Sequence, residues 1–204
     1  MTHPGAPITA ATSPRPAPPR AADPAPRPLR LFVALDLPPD AVAALAVVGT
    51  AADPESWRAV KPDTLHVTLA FLGARPPADV AAIDPIVAAE DGGPAPRLEI
   101  ERVLGLPPRR ARVLTVALDD PDGTLSALQA RLSAALAQAG LYTPETRPFR
   151  PHVTVARLRP RQRAPRATPD VEAREFHGTA VTLYRSTTHP TGARYEPLTR
   201  ASLR

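Results

Sequence analysis

The chain has 204 residues, 43% of them hydrophobic but only 4% aromatic, so its core must be built mostly from Ala, Val and Leu. It has no cysteine, which excludes disulfides, thiolate zinc sites and cysteine nucleophiles and fits a reducing, cytoplasmic setting. The formal charge is +5, with Lys61 the single lysine among 25 basic residues; that balance suits an anionic partner such as RNA, and equally a surface that has drifted towards arginine.

Residues 1–28 are dominated by proline, alanine and small polar residues, and they carry His3. Such a segment buries too little apolar surface to offset its ordering entropy, so it reads as a disordered extension. It has no charged start leading into an apolar run, as a signal peptide would. No apolar run in the chain approaches the ~20 residues that cross a bilayer, and a soluble protein is expected.

Order is expected from "LRLFVALDLP" (29–38), a β-rich run stopped by Pro38 and Pro39. An alanine-rich helix follows, opened by Asp40 or by Pro39 just before it. "WRAV" and "LHVTLAFLG" (65–73) read as strands separated by the turn-like "KPDT". Residues 78–90 look helical, with a break or a new start near Pro85. Two strands, "PRLEIERVLGL" and "RARVLTVALDD", are joined by a turn at Pro107-Pro108. The clearest helix is 122–140: Leu125, Leu128, Leu132 and Leu136 recur on one face, Thr124 or Asp122 suits its N-cap, and Gly140 suits its C-cap. "HVTVARL" is a strand, "PRQRAPRATPD" a loop, and "FHGTAVTLYRS" and "ARYEPLTRASL" are closing strands. Strands that follow one another through short turns indicate an α+β fold with largely antiparallel sheets.

One phrase occurs twice, as "LHVTLAFLG" and as "PHVTVARLR", with the histidines 86 residues apart and each strand preceded by a helix. Two related lobes, about 29–95 and 96–204, are the natural division. The side-chain period of two puts His66, Thr68 and Ala70 on one face of the first strand and Leu65, Val67, Leu69 and Phe71 on the other. In the second strand it groups His152, Thr154 and Ala156 against Val153 and Val155. Each strand therefore offers an imidazole and a hydroxyl side by side. His177 and His189 also precede a threonine by two residues, but Gly178 and Pro190 stand in their gaps and suit a strand interior poorly.

Two imidazoles on a common pocket suit general acid–base catalysis, one ring taking a proton from water and the other protonating a leaving oxygen. The threonine hydroxyls suit non-bridging phosphate oxygens, where charge builds in the transition state. A metal site is the competing use of two histidines, although no HExxH motif and no obvious Asp/Glu cluster sits beside either strand.

With their surroundings, "RLFVALDLP", "DTLHVTLAFLG", "RPFRPHVTVARL" and "VTLYRS…RYEPL", the two phrases resemble the paired H-x-T-x motifs of the 2H phosphoesterase superfamily. Within it they look like the bacterial RNA 2′,3′-cyclic phosphodiesterase branch, also called 2′-5′ RNA ligases, over residues 29–204. The resemblance implies a bilobal α+β fold, with two pseudo-symmetric lobes whose antiparallel sheets line a central cleft. It implies opening of a 2′,3′-cyclic phosphate at an RNA end to leave a 2′-phosphomonoester; the two-histidine chemistry requires no metal or cofactor, and a monomer acting on RNA ends, tRNA fragments among them, is expected. By position, His66 matches the proton donor to the leaving 3′-oxygen, His152 the base that activates water, and Thr68 and Thr154 the phosphate-binding hydroxyls. Arg157 matches a basic residue that pairs with phosphate, but strict alternation points it away from His152 unless a twist or bulge intervenes. Phe149 and Phe32 are candidates for stacking on a base or for the core. Arg147, Arg150, Arg159, Arg161 and Arg163 form a basic run that serves either as an RNA path or as a solvated loop. Two other readings are a 2H phosphoesterase for small cyclic nucleotides or 2′-5′ linkages, and an RNA-binding module without turnover.

Overall fold

The computed structural model describes Met1, residues 27–189 and residues 192–204, so the extension over 1–28, with His3, lies almost wholly outside the described residues, as does Thr191. The elements run β1 (Leu29–Asp36), α1 (Pro39–Ala51), β2 (Trp57–Ala59), β3 (Val67–Arg75), α2 (Val80–Ala88), β4 (Arg97–Leu106) and β5 (Val113–Asp119), then α3 (Thr124–Gln138), β6 (His152–Leu158), β7 (Glu175–His177), β8 (Ala180–His189) and β9 (Gly192–Ser202). Every strand pairing is antiparallel, as the α+β reading expected. The sheet order is β7-β4-β5-β6-β3-β1-β8-β9, with β2 added on β6.

That order is symmetric about its middle. The two phrase-bearing strands, β3 and β6, meet at a single pair, Val67 opposite Val153. Outward from there, Leu35 of β1 faces Val67 and Ala34 faces Thr68, while Val116 of β5 faces Val153 and Thr115 faces Thr154. The half that holds His66 is completed by β8 and β9 from the C-terminal end of the chain.

The core lies between the helices and the sheet face carrying Leu31, Val33, Leu35, Val67, Leu69, Val153 and Val155. Helix α1 packs behind β6 and α3 behind β3. In α3 the four leucines at 125, 128, 132 and 136 are all buried, as their spacing requires. Gly140 adopts φ +71 just past its end, and the Leu141 N–H returns to the Leu136 carbonyl at 2.9 Å.

Three local expectations are corrected. Neither Thr124 nor Asp122 caps α3: Gly123 holds the N-cap position, and the Asp120 carboxylate accepts from the Leu125 and Ser126 N–H groups at 3.1 and 2.8 Å. Asp122 instead pairs with Arg97 at 3.0 Å. Helix α2 runs unbroken through Pro85, because the bond that proline gives up belongs to Ala81 on the exposed face, where solvent can replace it. The run "FHGTAVTLYRS" is two strands, β7 beside β4 and β8 beside β1. The chain crosses between them at Gly178, where a Cβ would stand 2.7 Å from the Leu35 side chain.

Candidate active site

A cleft of about 550 Å³ collects both phrases: His66, Thr68, His152 and Thr154 all line it. The two histidines are held in the same way. The Nδ1–H of His66 donates to the Thr64 carbonyl at 2.7 Å, and the Nδ1–H of His152 donates to the Arg150 carbonyl at 2.8 Å, each two residues upstream. A carbonyl only accepts, so both rings carry hydrogen on Nδ1 and leave Nε2 for substrate. Neither Thr68 nor Thr154 spends its hydroxyl on another described residue.

The rest of the cleft is positively charged. Arg30, Arg58, Lys61 and Arg157 line it, and no carboxylate among the described residues does. Arg58 stands directly opposite Arg157 in the β2–β6 pair, a like-charge juxtaposition that costs stability until an anion sits between them. Among the described residues no three His, Cys, Asp or Glu side chains gather as metal ligands.

The place of Arg157 follows from a backbone irregularity that strict alternation omits. In β3 the pairing to β1 skips Leu69, and in β6 the pairing to β5 skips Val155, so each phrase is followed at once by a β-bulge. At each bulge two successive side chains point to the core: Leu69 with Ala70, and Val155 with Ala156. The expectation that Ala70 and Ala156 share the histidine face is therefore corrected. Alternation resumes one residue late, and Phe71 and Arg157 come out on the cleft side. Phe71, expected on the core face, is 59% exposed.

Both bulge carbonyls are satisfied from outside the ladder. The Val155 carbonyl accepts from the Val60 N–H at 2.8 Å, and the Leu69 carbonyl from the Gln129 side-chain amide at 3.2 Å. Gly49 lets α1 approach β6 at this point, for a Cβ there would stand 2.5 Å from the Val155 oxygen.

His66 rests on aromatic rings. Phe32 lies 4.9 Å away between centroids and Tyr195 packs edge-on at 5.4 Å, with Tyr184 stacked on Phe32 behind them. Phe32 is 3% exposed and supports the histidine, so it offers no face to a base. Burial pushes the His66 pKa below the ordinary histidine value of 6.5; the Arg157 and His152 charges add to that, while the Thr64 carbonyl and the Asp36 carboxylate oppose it. Asp36 is itself held by the Tyr184 and Thr182 hydroxyls at 2.8 and 2.9 Å and by Arg200 at 3.1 Å.

Other sequence candidates fall elsewhere. Phe149 is half-buried against the core and does not line the cleft. Arg147 and Arg150 are exposed outside the lining, Arg150 serving through its carbonyl. Arg159 donates to the Pro54 and Trp57 carbonyls at 2.8 and 3.3 Å, a structural tie. His177 is exposed at the opposite edge of the sheet. Arg30, Arg58, Lys61, Phe71 and Tyr195 come to the cleft without a sequence signal of their own, apart from Lys61, the one lysine in an arginine-rich chain.

Comparison with known proteins agrees with this geometry. Residues 36–190 match the family model of the 2′-5′ RNA ligase superfamily. The RNA 2′,3′-cyclic phosphodiesterase of Thermus thermophilus is 32% identical over 185 residues, which cover 86% of this chain and 91% of that protein. The protein of the same name from Escherichia coli is 32% identical over 177 residues, covering 86% and 97%. The crystal structure of E. coli LigT complexed with 3′-AMP superposes with a TM-score of 0.72 at 30% identity, over 86% of this chain and 98% of that one. With its two His-Val-Thr strands facing one cleft, the chain belongs to the 2′-5′ RNA ligase superfamily, whose members include these phosphodiesterases.

Proposed function

We propose that this protein opens 2′,3′-cyclic phosphate ends of RNA to 2′-phosphomonoesters, by acid–base catalysis between His66 and His152 and without a metal. The observation that carries the reading is the equivalence of the two histidines, each fixed through Nδ1 to the carbonyl two residues upstream and each beside an unspent threonine hydroxyl on one cationic cleft. The names of the two relatives support the substrate class.

In the proposed step, Nε2 of His152 takes a proton from water as the water oxygen attacks phosphorus. The bond from phosphorus to O3′ breaks, and Nε2–H of His66 delivers a proton to O3′. The products are a 3′-hydroxyl and a 2′-phosphate, with His152 protonated and His66 neutral until solvent resets both. Thr68 and Thr154 donate to the non-bridging oxygens, and Arg157 and Arg58 balance the developing charge. The assignment of acid and base follows the family resemblance. Burial lowers the His66 pKa, and a bound phosphate anion acts in the opposite sense, favouring the protonated ring that the acid role needs.

The test is a product assay on a short RNA ending in a 2′,3′-cyclic phosphate, with EDTA present, for wild type, His66→Ala and His152→Ala. The reading expects 2′-phosphate from wild type and at least ~100-fold slower turnover in both variants. A 3′-phosphate product reverses the leaving oxygen, and loss of activity with EDTA removes the metal-free mechanism.

A further inference from the structure

A second cavity, of about 660 Å³, is walled by the β4–β5 turn and by the loop after β6. Five arginines line it: Arg109, Arg110 and Arg112 from the turn, Arg161 and Arg163 from the loop. All five are exposed, none makes an ion pair with another described residue, and no described carboxylate lines the cavity. Several arginines on other surfaces are matched with acids, Arg97 with Asp122 and Glu175, Arg131 with Glu90, Arg200 with Asp36; these five are gathered around one cavity without any.

The cavity neighbours the catalytic cleft along one strand. Arg157 lines the first and its neighbour Leu158 lines the second. The Leu158 N–H donates to the Arg112 carbonyl at 2.9 Å, so turn and strand are tied at the wall of the cavity. The loop is fixed as well. Arg159 is anchored on the Pro54 carbonyl at 2.8 Å, and Arg161 sits at φ +66, a left-handed conformation uncommon for a residue with a Cβ. From Thr154 to Leu158 a strand advances ~13 Å, so the arginines begin more than one phosphate away from the reacting one.

We propose that this cavity is the track for the RNA strand leading up to the reacting end, with the five arginines gripping backbone phosphates upstream of the cyclic one. The proposal rests on the reading of the first cleft as the phosphodiesterase site and adds a substrate preference to it: oligonucleotides over mononucleotides. Five like charges without acids around one cavity repel each other, and a chain of phosphates entering from the cleft relieves that repulsion. A backbone grip of this kind is blind to base sequence and steep in salt.

The experiment compares kcat/KM for a 2′,3′-cyclic mononucleotide and for an RNA of roughly ten nucleotides with the same end, between about 50 and 200 mM salt. The proteins are wild type, the double variant Arg109→Ala/Arg161→Ala and the charge-keeping double Arg109→Lys/Arg161→Lys. The proposal expects the alanine double to lose about tenfold or more on RNA at low salt, and its log–log salt slope to flatten by ~0.7 per lost phosphate contact. The mononucleotide stays at the wild-type rate, and the lysine double keeps most of the RNA advantage. An equal loss on both substrates overturns the proposal, as does RNA kinetics unchanged in the alanine double, which would leave the cavity to free phosphate at most. If wild type turns over neither substrate, the reading of the cleft fails. Anisotropy with the same RNA carrying a 2′-phosphate end then judges the cavity alone: weaker binding by the alanine double supports it, and equal binding overturns it.

Discussion

Phe71 and Arg157 occupy equivalent places in the two halves of the sheet, three residues beyond Thr68 and Thr154, and a bulge one residue after each threonine turns both onto the cleft. One backbone device thus presents a ring on one wall and a guanidinium on the other. Arg157→Ala is expected to lose a charge-assisted contact of about 1.5–3 kcal/mol, roughly 10- to 100-fold in kcat/KM, on mononucleotide and RNA alike. Phe71→Ala is expected to raise KM with kcat nearly unchanged, since stacking on a base is worth ~1–3 kcal/mol and is made equally before and during the reaction. Steady-state kinetics on a 2′,3′-cyclic mononucleotide separates the two.

The lowered pKa of His66 has a signed consequence for the pH profile. If His66 is the acid, burial makes its proton harder to hold in the free enzyme, which kcat/KM reports, than in the phosphate-bound enzyme, which kcat reports. The basic limb of kcat lies at higher pH than that of kcat/KM, because bound phosphate favours the protonated ring. Coincident limbs, both above the ordinary histidine value, would contradict this.

The same shift bears on stability. As pH falls, the unfolded chain takes up the His66 proton near 6.5, while the folded chain takes it up only lower. Folding stability therefore drops through that window and gains nothing from this group above it. Urea unfolding of His66→Asn against wild type should show the smaller drop in the variant.

Gly49 and Gln129 are expected to act on the site from behind the sheet. A methyl at Gly49 meets the Val155 carbonyl oxygen at 2.5 Å, and overpacking of this kind costs about 1–3 kcal/mol. Gln129→Leu leaves the Leu69 carbonyl without its partner, at about 1–3 kcal/mol. Denaturant unfolding checks both. The kinetic signature differs: Gly49→Ala displaces Arg157 and lowers kcat/KM, whereas Gln129→Leu acts through Phe71 and raises KM.

Much of this was legible in the residues. A period of two put His66 beside Thr68 and His152 beside Thr154, and four leucines at helical spacing marked α3. The bulges were not legible, because Leu69 and Val155 are ordinary strand residues; what makes them bulge is support from Val60, Gln129 and Gly49, distant in sequence. Strict alternation therefore puts Phe71 on the core face and lets Arg157 reach the cleft only through a bulge. The cap at Asp120 was hidden because its carboxylate reaches past four residues to Leu125 and on to Ser126. The cleft cations Arg30 and Arg58 were invisible for another reason: in a chain with a single lysine among 25 basic residues, one arginine looks like any other until its neighbours are known.

An acid–base pair formed by His66 and His152 leaves its mark on the pH–rate profile. With EDTA present and a cyclic-phosphate RNA as substrate, wild type should give a bell-shaped kcat/KM. The residual activity of His66→Ala should lose the basic limb, and that of His152→Ala the acid limb. A bell that keeps both limbs in either variant would mean that the two histidines are not the acid and the base.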